Sequence, residues 1–222
     1  MKKQNTKENY FLKALVSFLL FVLTILLVKF VDVKAVGPEN TEIGLSSINV
    51  AIHEIFGVNM GWYTLTELFG VLAILVVAVF AFFGLYQLVK RKSLAKVDNE
   101  ILLLGGLYAV VFFLYILFEK VVINYRPIIE EGKEHVEASF PSSHTMLICV
   151  VMGSVILVIG KYITDDKIKR IIIIACAVII ALTIAGRLVC GVHWFTDILG
   201  GCFISMALLN VFEGFYRRIN LR

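Results

Sequence analysis

The chain has 222 residues, 59% of them hydrophobic, with a mean hydropathy of +0.90. Soluble domains carry about 45–50% apolar residues, and a chain of this size has no core large enough to hide the excess. That excludes a soluble domain, a disordered chain and a secreted disulfide scaffold. The net charge of +4 is modest, and no basic stripe with interleaved aromatics marks a nucleic-acid surface.

A bilayer core of about 30 Å needs roughly 20 mostly apolar residues in a helix. Six stretches meet or approach this: residues 12–31, 69–89, 101–118, 145–160, 171–186 and 195–212. The sequence therefore predicts an all-α, polytopic membrane protein with six transmembrane helices in a bundle. The fourth and fifth stretches are short, so their flanking residues are expected to continue the helix at the polar boundary. The first reads as a retained anchor rather than a cleaved signal, because its apolar core from Ala14 to Val28 is long and Val33-Lys34-Ala35 is a poor cleavage site.

Between the first and second stretches lies a long segment, 29–68. Within it Ile48, Ile52, Ile55 and Phe56 recur at helical spacing, which suggests a short helix in the membrane interface. Such a segment serves either as a lid or ramp for lipid or as a packing loop. No internal repeat or low-complexity run divides the chain. It is expected to form one membrane-embedded domain over 1–222, with a motif-bearing core at 120–197.

With both termini on one side, segments 1–13, 90–100, 161–170 and 213–222 share that side and hold 15 of the 21 Lys and Arg residues but only 6 of the 17 Asp and Glu. The positive-inside rule then predicts a multi-pass cell-membrane protein with both termini cytoplasmic and segments 29–68, 119–143 and 187–194 facing outward. The cysteines, Cys149, Cys176, Cys190 and Cys202, form no CxxC pair and read as membrane-packing residues. The histidines, His53, His135, His144 and His193, have no zinc-like spacing, so no metal site is expected.

Polar residues near a membrane need a partner or a function. Three clusters stand out: Lys120, Asn124, Tyr125, Arg126 and Pro127 after the third stretch; Phe140-Pro141-Ser142-Ser143-His144-Thr145 entering the fourth; and Gly186, Arg187, His193 and Asp197 bridging the fifth and sixth. Counting spans puts all three on the same outward boundary. Ser142 or its neighbour can cap the fourth helix, whose start offers free N–H groups and a positive dipole end to an anion. Arg126 and Arg187 carry planar forks suited to phosphate oxygens. His193 and Asp197 lie four apart and share one helix face, so the carboxylate can hold one ring nitrogen and free the other to attack. His144 can protonate a departing oxygen.

These residues resemble the type 2 phosphatidic acid phosphatase family, which shares its site with vanadium haloperoxidases. The family's first motif is Lys, six residues, Arg-Pro; here Lys120 and Arg126-Pro127 are separated by five. Its second, Pro-Ser-Gly-His, reads Pro141-Ser142-Ser143-His144. Its third, Ser-Arg, five residues, His, three residues, Asp, reads Gly186-Arg187, then His193 and Asp197 at the matching spacing. Ser143 thus replaces a glycine, and Gly186 a serine that would hydrogen-bond phosphate or the histidine. Lys120 sits one residue too close to Arg126; one residue is about 100° around a helix, so it reaches the site only through a bulge or non-helical backbone.

The resemblance implies a metal-independent lipid phosphate or diphosphate phosphatase that needs no cofactor. His193 would attack phosphorus and form a phosphohistidine, with Asp197 orienting it. Arg126, Arg187, the Ser142 and Ser143 amides and Lys120 would stabilise the equatorial oxygens. His144 would protonate the leaving oxygen and then activate water. Undecaprenyl diphosphate, phosphatidylglycerol phosphate and phosphatidic acid are the implied membrane lipid substrates, and an outward site favours the first. The alternatives are a lipid-linked phosphotransferase, which would yield a phosphorylated acceptor instead of free phosphate, and a non-catalytic lipid-binding or transport protein, which would not need His193. A haloperoxidase would require bound vanadate.

Overall fold

The computed structural model describes residues 9–220; the ends of the chain, with part of the basic N-terminal cluster used in the charge inventory, lie outside the described residues. Helices α1 (Tyr10–Phe30), α3 (Met60–Arg91), α4 (Asn99–Lys120), α5 (Ser143–Tyr162), α6 (Asp166–Val189) and α7 (Phe195–Asn220) are each long and apolar enough to cross a membrane. A short helix, α2 (Ser46–Phe56), lies between α1 and α3. It is preceded by a two-residue antiparallel ribbon of β1 (Lys34–Ala35) and β2 (Glu42–Ile43).

Polar caps set the helix starts. Asn9 accepts from the Leu12 amide at 3.2 Å, and Asp165 from Lys167 and Ile168 at 2.8 and 3.0 Å. Asn59 accepts from the Trp62 amide at 3.2 Å, so α3 begins at Met60, well before Phe69, where the apolar run starts. The sequence expectation for this helix is therefore too short at its N-terminus. Thr64, Thr66 and Glu67 are helical, and they hide the first turns because hydropathy alone marks a span. The fourth and fifth stretches extend through their flanks as expected.

α5 is the centre of the bundle and the most enclosed span, packed by α3, α4, α6 and α7. The Tyr108 hydroxyl meets Ser154 Oγ at 2.8 Å across α4 and α5, and Ser205 Oγ reaches the Met146 carbonyl at 3.3 Å across α7 and α5. Small hydroxyl side chains allow close helix approach and satisfy each other in a lipid environment. α1 lies along α7, with Phe11 edge-on to Phe215 at 5.3 Å. Leu19, Phe82, Phe112 and Ile171 remain exposed on the outer surface, as lipid-facing residues should. At the end of the bundle formed by the N-terminus of α4 and the C-termini of α3 and α5, buried Glu100 pairs with Lys161, and Asp98 pairs with Gln87 and Arg91 at 2.8 and 2.7 Å. The opposite end carries α2, the α4–α5 loop and the α6–α7 loop, and the candidate site.

Candidate active site

Three separated segments meet at that end. Arg126 lies in the loop after α4, Ser143 and His144 open α5, Arg187 closes α6 and His193 sits in the turn before α7. All five line one cavity of about 250 Å³. The local folds that place them are simple. Ser142 caps α5, its hydroxyl accepting from the Thr145 amide at 3.4 Å and the Thr145 hydroxyl at 3.0 Å, which leaves the Ser143 and His144 amides at the open end of the helix. Tyr125 and Ala138 form an isolated bridge, and Arg126 N donates to the Glu137 carbonyl at 3.1 Å. This folds the α4–α5 loop back so that Arg126 faces the cavity.

His193 is buried, and its Nε2 has no hydrogen-bond partner. Asp197 does not hydrogen-bond it directly, because the Nδ1 to Oδ2 separation is 3.8 Å. Ser139 stands between them: its Oγ is 3.1 Å from His193 Nδ1 and also contacts Asp197 Oδ2. A serine hydroxyl has one proton. Given to the carboxylate, it leaves the oxygen to accept Nδ1–H, which fixes the tautomer with the Nε2 lone pair free. Asp197 Oδ2 also accepts from the Trp194 amide at 2.8 Å. Asp197, expected from the sequence to hold one ring nitrogen of His193, lies at ion-pair distance from Nδ1, with Ser139 Oγ joining the two by hydrogen bonds. The burial of His193, the nearby guanidiniums of Arg126 and Arg187 and the His144 ring hold its pKa well below the usual imidazole range.

The cations are matched by carboxylates. Arg126 Nη1 lies 2.5 Å from Glu130 Oε1, and its Nε 3.9 Å from Glu137. Buried Arg187 donates through Nη1 to Thr66 Oγ1 at 3.2 Å and to Glu67 Oε1 at 3.3 Å. The same Glu67 oxygen lies 3.1 Å from His144 Nε2. Gly186 is glycine for a steric reason: a Cβ there would come within 2.8 Å of Thr66 and Trp62 on α3. The serine of the family motif has no room.

Two residues expected to contact substrate, Lys120 and Ser142, do not line the cavity. Lys120 is exposed at the end of α4 and does not line the cavity; the position one residue earlier is Glu119, which does. The helix continues without a bulge to Lys120, so the missing residue rotates the lysine away. Lys133, in the α4–α5 loop, lines the cavity instead and pairs with Glu137 at 2.6 Å. Ser142 is fully buried, and its amide donates to the Asp197 carbonyl at 3.0 Å. It is engaged in holding α5 to α7, whereas Ser143 faces the cavity.

Ser139, Glu67 and Lys133 are site residues that no sequence pattern singles out. Ser139 precedes the second motif by two residues and carries no pattern of its own. Glu67 falls in the segment expected to be a loop, although a carboxylate two residues before an apolar run is the available signal.

An apolar groove of about 470 Å³ between α3, α4 and α5 adjoins the cavity. The two share Glu67, Tyr115, Ser143, His144 and Met146, and the groove continues along Val71, Ile74 and Phe112. Segment 29–68 packs beneath the turn that carries His193. Asn49 Nδ2 donates to Thr196 Oγ1 at 3.0 Å and to the Gly44 carbonyl at 2.9 Å, Thr196 N donates to Asn49 Oδ1 at 3.2 Å, and His53 Nε2 is 3.0 Å from the Gly191 carbonyl.

The model of the PAP2 superfamily matches residues 71–220. Phosphatidylglycerophosphatase B of Bacillus subtilis (strain 168) is 30% identical over 102 residues, 46% of this chain and 48% of the relative, so the match spans about half the length of that relative. The crystal structure of a transmembrane PAP2 type phosphatidylglycerolphosphate phosphatase from Bacillus subtilis superposes with a TM-score of 0.64 at 21% identity, covering 93% of this chain and 97% of that one. It shares the multi-pass helical fold.

Proposed function

Since the chain belongs to the PAP2 superfamily, we propose that it is a membrane lipid phosphate phosphatase working through a phosphohistidine on His193. The observation that carries this reading is the unpartnered, buried Nε2 of His193 on the wall of a cavity that also holds Arg126, Arg187 and His144.

His193 Nε2 attacks phosphorus as the bond to the lipid oxygen breaks, and His144 gives its proton to that oxygen. The Arg126 and Arg187 guanidiniums and the Ser143 amide take up the charge of the equatorial oxygens, a contribution that is usually large. Asp197, through Ser139, holds the Nδ1 proton and the positive charge that develops on the ring. Water then attacks the phosphohistidine, His144 takes its proton, the P–N bond breaks and phosphate leaves. Arginines here fill the place that magnesium holds in many phosphoryl-transfer sites.

The groove beside His144 suits a lipid tail, which stays among apolar side chains while the headgroup enters the polar cavity. Phosphatidylglycerol phosphate is the favoured substrate, by similarity to phosphatidylglycerophosphatase B of Bacillus subtilis. Undecaprenyl diphosphate and phosphatidic acid remain compatible with the groove. The charge asymmetry of the loops supports cytoplasmic termini and a site on the outer face.

The purified protein in detergent, given a panel of lipid phosphates and diphosphates with EDTA present, is expected to release inorganic phosphate, fastest from phosphatidylglycerol phosphate. Silence across the panel, or activity only on adding a divalent metal, would contradict the proposal.

A further inference from the structure

Glu67 is a carboxylate in a pocket built for phosphate, and the mechanism above gives it no task. It stands two turns into α3, about two-fifths exposed, where the polar cavity opens into the apolar groove. One of its oxygens touches both His144 Nε2 at 3.1 Å and Arg187 Nη1 at 3.3 Å. Gly70, one turn further along α3, keeps this contact open, because a Cβ there would lie 3.0 Å from His144 Nε2 and Cδ2.

The position fixes which part of a substrate Glu67 meets. His144 is the group that protonates the leaving oxygen, and the groove for the tail begins at the same residues. The atoms joining the reacting phosphorus to the tail must therefore pass Glu67. In a lipid diphosphate those atoms are a second phosphoryl group with ionised oxygens. In a phosphomonoester they are carbon, and in phosphatidylglycerol phosphate they are a glycerol unit whose free hydroxyl can donate to a carboxylate.

Glu67 itself is met by His144 and Arg187, both of which the mechanism above assigns to the substrate, and the remaining charges of the cavity do not offset it. Arg126 is engaged by Glu130 and Glu137, Lys133 by Glu137, and Glu119 adds a further negative charge. On the mechanism proposed above, Arg187 serves the reacting phosphoryl group when substrate is bound and is then shared away from Glu67. Like charges brought together in a partly desolvated site repel strongly. On the phosphatase reading, we propose that Glu67 is a specificity-determining residue that makes the site select phosphomonoester lipids over lipid diphosphates.

Farnesyl phosphate and farnesyl diphosphate share one tail and differ by the second phosphoryl group, so they isolate the effect. The ratio of kcat/KM for the monophosphate to that for the diphosphate is measured in detergent for the wild type, E67Q and E67D. The ratio is expected to favour the monophosphate in the wild type, to fall at least tenfold in E67Q and to be kept in E67D. If Glu67 acts only by tuning His144, both substrates change by the same factor and the unmoved ratio overturns the inference. If E67Q does not fold, E67A, which only removes side-chain atoms from a half-exposed position, carries the same test. Phosphate release from neither substrate by the folded wild type would overturn the phosphatase reading, and the inference with it, whereas an active wild type with no preference for the monophosphate overturns the inference alone.

Discussion

His193 is kept neutral by its surroundings. Burial disfavours the imidazolium first, and the positive charges of Arg126 and Arg187 and the ring of His144 add to it, so the pKa lies well below 6.5. A neutral ring is the form that the proposed attack on phosphorus requires. The acid limb of the kcat/KM profile should thus fall below the ordinary imidazole range. Since the native state refuses a proton that the unfolded chain accepts, the contribution of this group to stability is full above about pH 6.5 and declines as pH falls through the window below it. Arg126→Gln removes one of the charges and should move the acid limb upward as well as slow the reaction, whereas Arg126→Lys should slow it with the limb unmoved. A pH profile of the two variants separates charge from substrate contact; an unmoved limb in R126Q would contradict this electrostatic account. Arg126, His144, Arg187 and His193 are legible in the sequence because each belongs to a spaced pattern. Ser139, Lys133 and Glu67 are single polar residues with no period around them, and they acquire meaning only once the α4–α5 loop folds back and α3 passes behind Arg187.

Among the elements, α2 has a definite task. Its apolar spacing is visible in the sequence, but the choice between a lid and a packing element is not, because that depends on what its polar face touches. Asn49 is fully buried and serves Gly44 and both the amide and hydroxyl of Thr196, at the start of the helix that carries Asp197. α2 is thus a clamp beneath the turn that carries His193, with Ile55 and Phe56 left exposed on another side. Asn49→Ala strips buried groups of their partners, at a cost of about 1–3 kcal/mol. A lower melting temperature in detergent together with a reduced kcat is the expected result; a variant that melts and turns over like the wild type would show that α2 does not hold the turn. The start of α3 is hidden in the sequence for a related reason. Thr66 and Glu67 point their polar groups toward Arg187 rather than toward lipid, so the helix loses its apolar signature where it lines the site.

At the scale of the molecule, the six-span bundle is legible because a membrane leaves few alternatives: backbone groups must be satisfied within helices, so apolar length translates directly into spans. The convergence of three motifs at one end follows from counting those spans. What the count does not supply is the register of side chains at that end, which is why Lys120 and the Ser142 amide are expected in the cavity and are placed outside it. The central claim is that this convergence makes His193 a nucleophile toward a phosphoryl group. Rapid quenching of the purified protein with phosphatidylglycerol phosphate radiolabelled in its terminal phosphate tests it most directly. The account predicts an acid-labile, base-stable label that maps to His193, decays as phosphate appears and is absent from His193→Ala. Turnover without labelled enzyme at any time point, or equal labelling of the variant, would contradict it.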